Sequence, residues 1–167
     1  MNTSKKIRGL LLASMIAAIY AALTISFSFM SFGVVQYRIA EGLTILPFFT
    51  PYAVFGLTIG CLISNIISPV GSLDLIFGTL ATLIAAIATY YIGKSSFKFK
   101  KFLAPLPAVI SNAIIIGLLL KYVYVPTMPL WVIMLQVALG EIVCCYAIGL
   151  PLIAIIEKNP IIKKFLE

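Results

Sequence analysis

Three stretches of this chain, from Gly9 to Gln36, from Gly42 to Leu73 and from Leu75 to Ile92, carry no charged residue. A helix of about 20 apolar residues crosses a hydrocarbon core roughly 30 Å thick, so each stretch is long enough to enter or cross a bilayer. Water cannot solvate such a chain, and in hydrocarbon its backbone groups must bond to one another within helices. Across 167 residues the composition is 62% hydrophobic and only 10% charged, far outside the range of soluble domains.

The formal charge of +7 does not point to nucleic acid, because no basic face interleaved with aromatics exists. The positives instead flank apolar stretches: Lys5, Lys6 and Arg8, then Lys94, Lys98, Lys100 and Lys101, then Lys158, Lys163 and Lys164. Under the positive-inside rule all three clusters are expected in the cytoplasm. Cys61, Cys144 and Cys145 lie in apolar segments of a chain without histidine, so neither a disulfide framework nor a metal site is expected. The opening has the outline of a signal peptide, but its apolar run of roughly 25 residues exceeds the usual length, and the first segment is expected to remain as a helix.

Prolines and charge parity set the topology. Pro47 and the Thr50-Pro51 break separate two short apolar segments. Counting them as two spans keeps the Lys94 to Lys101 cluster on the same side as Lys5 to Arg8, whereas one span would put the clusters on opposite sides. The expectation is an all-α integral membrane protein, one domain over 1–167, with a compact bundle of six helices at about 9–32, 40–50, 52–67, 73–92, 102–122 and 130–156 and both termini cytoplasmic. No internal repeat of the kind that builds inverted transporter halves is visible.

Ionisable groups at membrane depth cost about 2.5 to 3.5 kcal/mol on insertion scales, so each needs a partner or a task. Glu141 lies near the middle of the sixth helix, and a rise of about 1.5 Å per residue puts Asn112 of the fifth at comparable depth. The two face one cavity or simply glue two helices. Asn65 falls near the outer end of the third helix. Asp74 opens the fourth, where it also suits the positive helix end with Ser72 as cap. Arg38 and Glu41, three apart, read either as site residues or as a surface ion pair. Trp131, Tyr122 and Tyr124 read as interfacial anchors. Ala13, Ala17 and Ala21 form a stripe of small residues on the first helix, open to a partner helix or to the chain's own neighbours.

The segment Gln36-Tyr37-Arg38-Ile39-Ala40-Glu41-Gly42-Leu43-Thr44-Ile45-Leu46-Pro47-Phe48 resembles the signature of the QueT family of queuosine-precursor transporters. The likeness continues through Gly56 to Asn65 and Asp74 to Thr82, and returns at Asn112 and at Gly140-Glu141. The resemblance implies a substrate-binding S component of an energy-coupling factor (ECF) transporter, in a bacterial cytoplasmic membrane. It would capture a small molecule from outside while a transmembrane coupling (T) component and two ABC ATPases supply the energy. The chain would then be no enzyme and hold no cofactor, in keeping with its lack of a G-x-x-x-x-G-K-[ST] phosphate loop. In related S components a small-residue stripe on the first helix meets the coupling protein, a role that falls here on Ala13, Ala17 and Ala21.

A 7-deazaguanine such as preQ0 or preQ1 presents N1–H and an exocyclic amine side by side, which one carboxylate accepts together; Glu141 suits that role. The O6 edge needs a donor, for which Asn112, Asn65, Gln36 and Arg38 are the candidates, and the ammonium of preQ1 suits Asp74 or Glu41. The outer loop from Gly33 to Gly42 is positioned to close over the base. The alternatives are an S component for riboflavin, folate or thiamine, and a purely structural membrane subunit. A membrane enzyme is disfavoured, since intramembrane chemistry usually needs a metal cluster, a dyad or an activated nucleophile.

Overall fold

The computed structural model describes residues 3–32, 37–69 and 71–166. Its elements are α1 (Thr3–Ser26), the short α2 (Ser28–Ser31), a 3-10 helix (Ile39–Phe48), α3 (Tyr52–Asn65), α4 (Ser72–Lys94), the short α5 (Lys100–Leu103), α6 (Leu106–Val123), α7 (Leu130–Lys158) and α8 (Pro160–Leu166). No strand occurs among the described residues. Lys5–Ser26, Ser72–Lys94, Lys100–Val123 and Leu130–Lys158 are long and apolar enough to cross a membrane, and Ile39–Phe48 and Tyr52–Asn65 are shorter apolar helices.

Prolines mark the breaks. Pro51 precedes α3, and Pro105 and Pro107 flank the first residue of α6, where a missing N–H costs little because first-turn amides have no acceptor within their own helix. The result is a turn at Ala104-Pro105 between α5 and α6, whose Ala104 carbonyl accepts from Thr89 Oγ1 at 3.0 Å. The 3-10 winding of Ile39–Phe48 has two consequences. At about 2.0 Å per residue its ten residues rise roughly 20 Å rather than the roughly 15 Å of an α-helix. Its three-residue turn also stacks Arg38, Glu41 and Thr44 along one line. Of the outer loop expected over Gly33 to Gly42, residues 33–36 lie outside the described residues and Ile39 to Gly42 belong to the 3-10 helix.

Direction alternates through the six helices of ten or more residues. Gly9 lies against Tyr52, Gly56 against Ala13, and Gly60 against Ala17 and Tyr20, so α1 and α3 rise in parallel. The 3-10 helix runs the other way, bringing Phe48 to Gly93 at the end of α4. All three basic clusters meet at one end: the Arg8 guanidinium donates to the Lys164 carbonyl, and Lys101 Nζ reaches Glu157 Oε2 at 2.6 Å. Lys121 stands at the other end, donating to the carbonyls of Pro126 and Met128 at 2.6 and 2.7 Å, near the exposed Tyr122, Tyr124 and Trp131.

The outside of the bundle is apolar, with Ile19, Leu62, Ile84, Ile114 and Leu139 exposed, whereas small and polar side chains are buried. That inversion suits lipid as solvent, where helices associate through close packing and hydrogen bonds rather than exclusion of water. A close contact between α1 and α3 takes up the stripe of small residues on the first helix. Ala13, Ala17 and Ala21 are buried, and the backbone of Ala13 and Ala17 is pressed on Gly56 and Gly60 of α3. The stripe is used within the chain, because only glycine lets two helices approach this closely; the face of α1 left open carries Ser14, Ala18 and Ala22 instead.

A Cβ on Gly60 would stand 2.8 Å from the Ala17 carbonyl oxygen, which is backbone and cannot step aside. Gly60→Val is expected to cost about 2 kcal/mol or more through overpacking. A thermal midpoint in detergent equal to that of the unchanged protein would refute this packing.

Candidate functional site

The 3-10 helix delivers charge into the bundle. Arg38 is 2% exposed and Glu41 fully buried, so of the two readings open to the pair, site residues or surface ion pair, the surface one does not hold. Arg38 Nη1 stands 3.9 Å from Glu41 Oε1, and Nη2 stands 3.9 Å from Asp74 Oδ2 at the start of α4. Its guanidinium carbon also lies 5.4 Å from the centre of the Phe32 ring. Asp74 is likewise fully buried, and Gly71 rather than Ser72 occupies the cap position of α4, with a positive φ of 72°. The carboxylate of Asp74 thus faces Arg38 across the interior.

Glu41 is held from three directions. Tyr20 of α1 donates to its Oε1 at 2.5 Å, Thr82 of α4 lies 3.5 Å from the same oxygen, and the Glu41 carbonyl accepts from Thr44 at 2.5 Å. Cys61 of α3 sits beneath Arg38, its sulfur 3.4 Å from Asn65 Nδ2, 3.2 Å from Thr82 Oγ1 and 3.9 Å from Arg38 Nη1. Asn65 also donates to the Asp74 carbonyl at 3.1 Å, tying α3 to α4.

On the far side of Glu41, Asn112 of α6 donates to Glu141 Oε1 of α7 at 2.8 Å. Cys145 joins the two halves, lying 3.3 Å from Glu141 Oε2 and 3.6 Å from the Glu41 carbonyl. All six of the longer helical segments therefore contribute a side chain to one buried polar cluster. It occupies the half of the bundle away from the basic end: along α4, Asp74 lies roughly 30 Å and Thr82 roughly 18 Å from Lys94.

Of the residues singled out from the sequence, Arg38, Glu41, Asn65, Asp74, Asn112 and Glu141 come together here, while Gln36 lies outside the described residues. Tyr20, Thr44, Cys61, Thr82 and Cys145 join the cluster without having been anticipated. Only their polarity within apolar runs marked them, and a lone hydroxyl or thiol on a membrane helix usually bonds back to its own helix.

The chemistry of the cluster is lopsided. One guanidinium is enclosed with three carboxyl groups, those of Glu41, Asp74 and Glu141. Within it, Glu41 Oε2, Asn65 Oδ1, both Asp74 carboxylate oxygens and Asn112 Oδ1 accept no hydrogen bond, against two nitrogens that donate none, Nε and Nη2 of Arg38. Buried acceptors without donors are costly. The arrangement offers acceptors to a donor-rich molecule, better still a cationic one.

A family model described as QueT transporter matches residues 10–158, nearly the whole bundle. The chain belongs to the QueT transporter family. With four helices long and apolar enough to span a bilayer, this QueT-family chain is a multi-pass membrane protein. Among curated proteins it is similar to a protein of Lactococcus lactis subsp. cremoris (strain MG1363) named "Queuosine precursor transporter QueT", 38% identical over 73 residues. That match spans 42% of this chain and 43% of the relative, so less than half of either is covered. No solved structure matches.

Tyr20→Phe removes the donor that fixes Glu41 and is expected to lower stability in detergent by about 1 kcal/mol or more. Thr58→Val serves as control, since the Thr58 hydroxyl only bonds back to the Val54 carbonyl at 2.7 Å. Equal melting midpoints for the two variants would contradict a tie between α1 and the cluster.

Proposed function

We propose that this QueT-family chain is the substrate-capturing S component of an ECF importer, and that its ligand is a queuosine precursor of the 7-deazaguanine class. The carrying observation is the buried Asn112–Glu141 pair, 2.8 Å apart, inside an acceptor-rich cluster of a QueT-family bundle. The name borne by the Lactococcus relative supports the same substrate class.

In this reading Glu141 accepts N1–H and the exocyclic amine of the base. Its two oxygens already receive Asn112 and Cys145 but retain further lone pairs. Arg38 supplies the donor for O6, since its Nε and Nη2 lack hydrogen-bond partners while both Asn112 and Asn65 already donate within the cluster. Asp74 and Glu41 receive the ligand's positive charge. Three carboxyl groups against one guanidinium favour preQ1, with its aminomethyl group, over the nitrile preQ0.

Six segments cross or enter the bacterial cytoplasmic membrane, with both termini inside. The gathering of three basic clusters at one end supports this orientation, and it sets the polar cluster nearer the outer surface, where captured substrate arrives. Energy comes from a coupling T component and two ABC ATPases in separate chains. The coupling component meets the open face of α1, where Ser14, Ala18 and Ala22 recur every four residues and admit a second helix closely.

Calorimetric titration of the detergent-purified chain with preQ1, preQ0, queuine, guanine, thiamine and riboflavin tests the reading. The expected result is tight binding of one deazaguanine, weakened in Glu141→Gln by about 2 to 3 kcal/mol, the scale of a charge-assisted contact. Binding unaffected by that substitution would move the anchor to Asp74 or Glu41. Binding of thiamine or riboflavin alone would keep the transporter and reject the substrate.

A further inference from the structure

The start of α1 and α8 meet at the basic end in a way that substrate capture does not use. Asn159 ends α7 and caps α8, its Oδ1 accepting from the amides of Ile161 and Ile162 at 3.0 and 3.2 Å. The chain thereby turns back under the bundle, and Leu166 enters the same apolar core as Leu12. The Arg8 guanidinium donates to the Lys164 carbonyl and stands 5.1 Å from the centre of the Phe165 ring.

Two adjoining cavities form at this junction. One, of about 380 Å³, is lined by Arg8, Pro160, Ile161, Lys164 and Phe165. The other, of about 130 Å³, shares Arg8 and Phe165 and adds Lys5, Leu12 and Tyr52 among its walls. Three cations therefore border an apolar floor, and no acidic side chain lines either cavity among the described residues. The nearby Glu157 is already engaged by Lys101 at 2.6 Å.

Depth narrows the choice of ligand. The uncharged run of α1 begins at Gly9, so Arg8 stands at the edge of the hydrocarbon, at the level of lipid headgroups, with Lys5 about one turn further out. Beside these cations α8 leaves Ile161 79% and Phe165 39% exposed. Cations at headgroup depth beside open apolar side chains match a phosphate diester continued by an acyl chain. An acidic soluble protein would satisfy the cations but has no hydrocarbon to cover Ile161 at the membrane boundary.

We infer that the junction of α1 and α8 is a binding site for an anionic phospholipid, its phosphate held by Arg8, Lys164 and Lys5 and an acyl chain lying along Ile161 and Phe165. A zwitterionic lipid offers the same phosphate, but its own cation is repelled by the three on the protein. The site is independent of the substrate reading.

Native mass spectrometry of the full chain from mixed micelles of phosphatidylglycerol and phosphatidylcholine tests it. Wild type is expected to retain phosphatidylglycerol preferentially. Arg8→Gln combined with Lys164→Gln is expected to weaken that retention on the order of twenty-fold, each interfacial cation being worth about five-fold. Arg8→Lys keeps the charge and is expected to keep the preference, which separates loss of charge from loosening of α8. Lys121→Gln, at the opposite end, should change nothing. Equal retention of the two lipids by wild type, undiminished retention by the double variant, or an equal loss in Lys121→Gln would each overturn the site. So would thermal stabilisation by inorganic phosphate as large as that by phosphatidylglycerol, which would make the occupant a free anion.

Discussion

The polar interior depends on how closely the 3-10 helix approaches α7. A Cβ on Gly42 would lie 2.6 Å from the Ile148 side chain, and one on Gly149 would lie 2.8 Å from Ile45. These two glycines let backbone lie almost on backbone. Only at that distance does the Glu41 carbonyl reach Cys145, and through it Glu141. Larger residues at either position would push the 3-10 helix outward and separate the Arg38–Glu41–Asp74 group from the Asn112–Glu141 pair.

The interior this creates would be poor in a soluble protein, where a buried charge is seldom repaid by its partner. In a membrane the balance differs, because the lipid-facing surface has no use for polar groups and the bundle axis is where they can meet one another. Several of these polar groups have no hydrogen-bond partner within the protein. A site that leaves buried acceptors unsatisfied gives up stability, and a donor-rich ligand recovers it on binding, which ties affinity to complementary hydrogen bonding rather than to size alone.

α1 divides its faces among separate tasks. One face lies on the glycines of α3, Tyr20 turns toward Glu41, and the remaining face is open to lipid or to a partner helix. Ala13, Ala17 and Ala21 were not distinguishable from Ser14, Ala18 and Ala22 in the sequence, since both sets repeat every four residues on the same helix. Which set packs inward depended on Gly56 and Gly60, more than thirty residues away along the chain.

Uncharged runs, proline breaks and basic flanks determined from sequence alone that the chain is helical and lives in a membrane, because the cost of placing charge or unpaired backbone in hydrocarbon leaves few arrangements. Counting residues along helices brought Asn112 and Glu141 to one depth, since helical rise is fixed. Depth, however, says nothing of rotation about a helix axis. Whether Arg38 and Glu41 face solvent or the interior, whether Asp74 meets Arg38 or merely precedes a helix, and whether Tyr20, Cys61 and Thr82 join the cluster are all matters of rotation and winding. Tertiary packing decided them, through the three-residue turn of the 3-10 helix and the close approaches that glycine allows. The return of α8 onto α1 was likewise a tertiary outcome, because Asn159 acts as a cap only once the chain turns beneath the bundle.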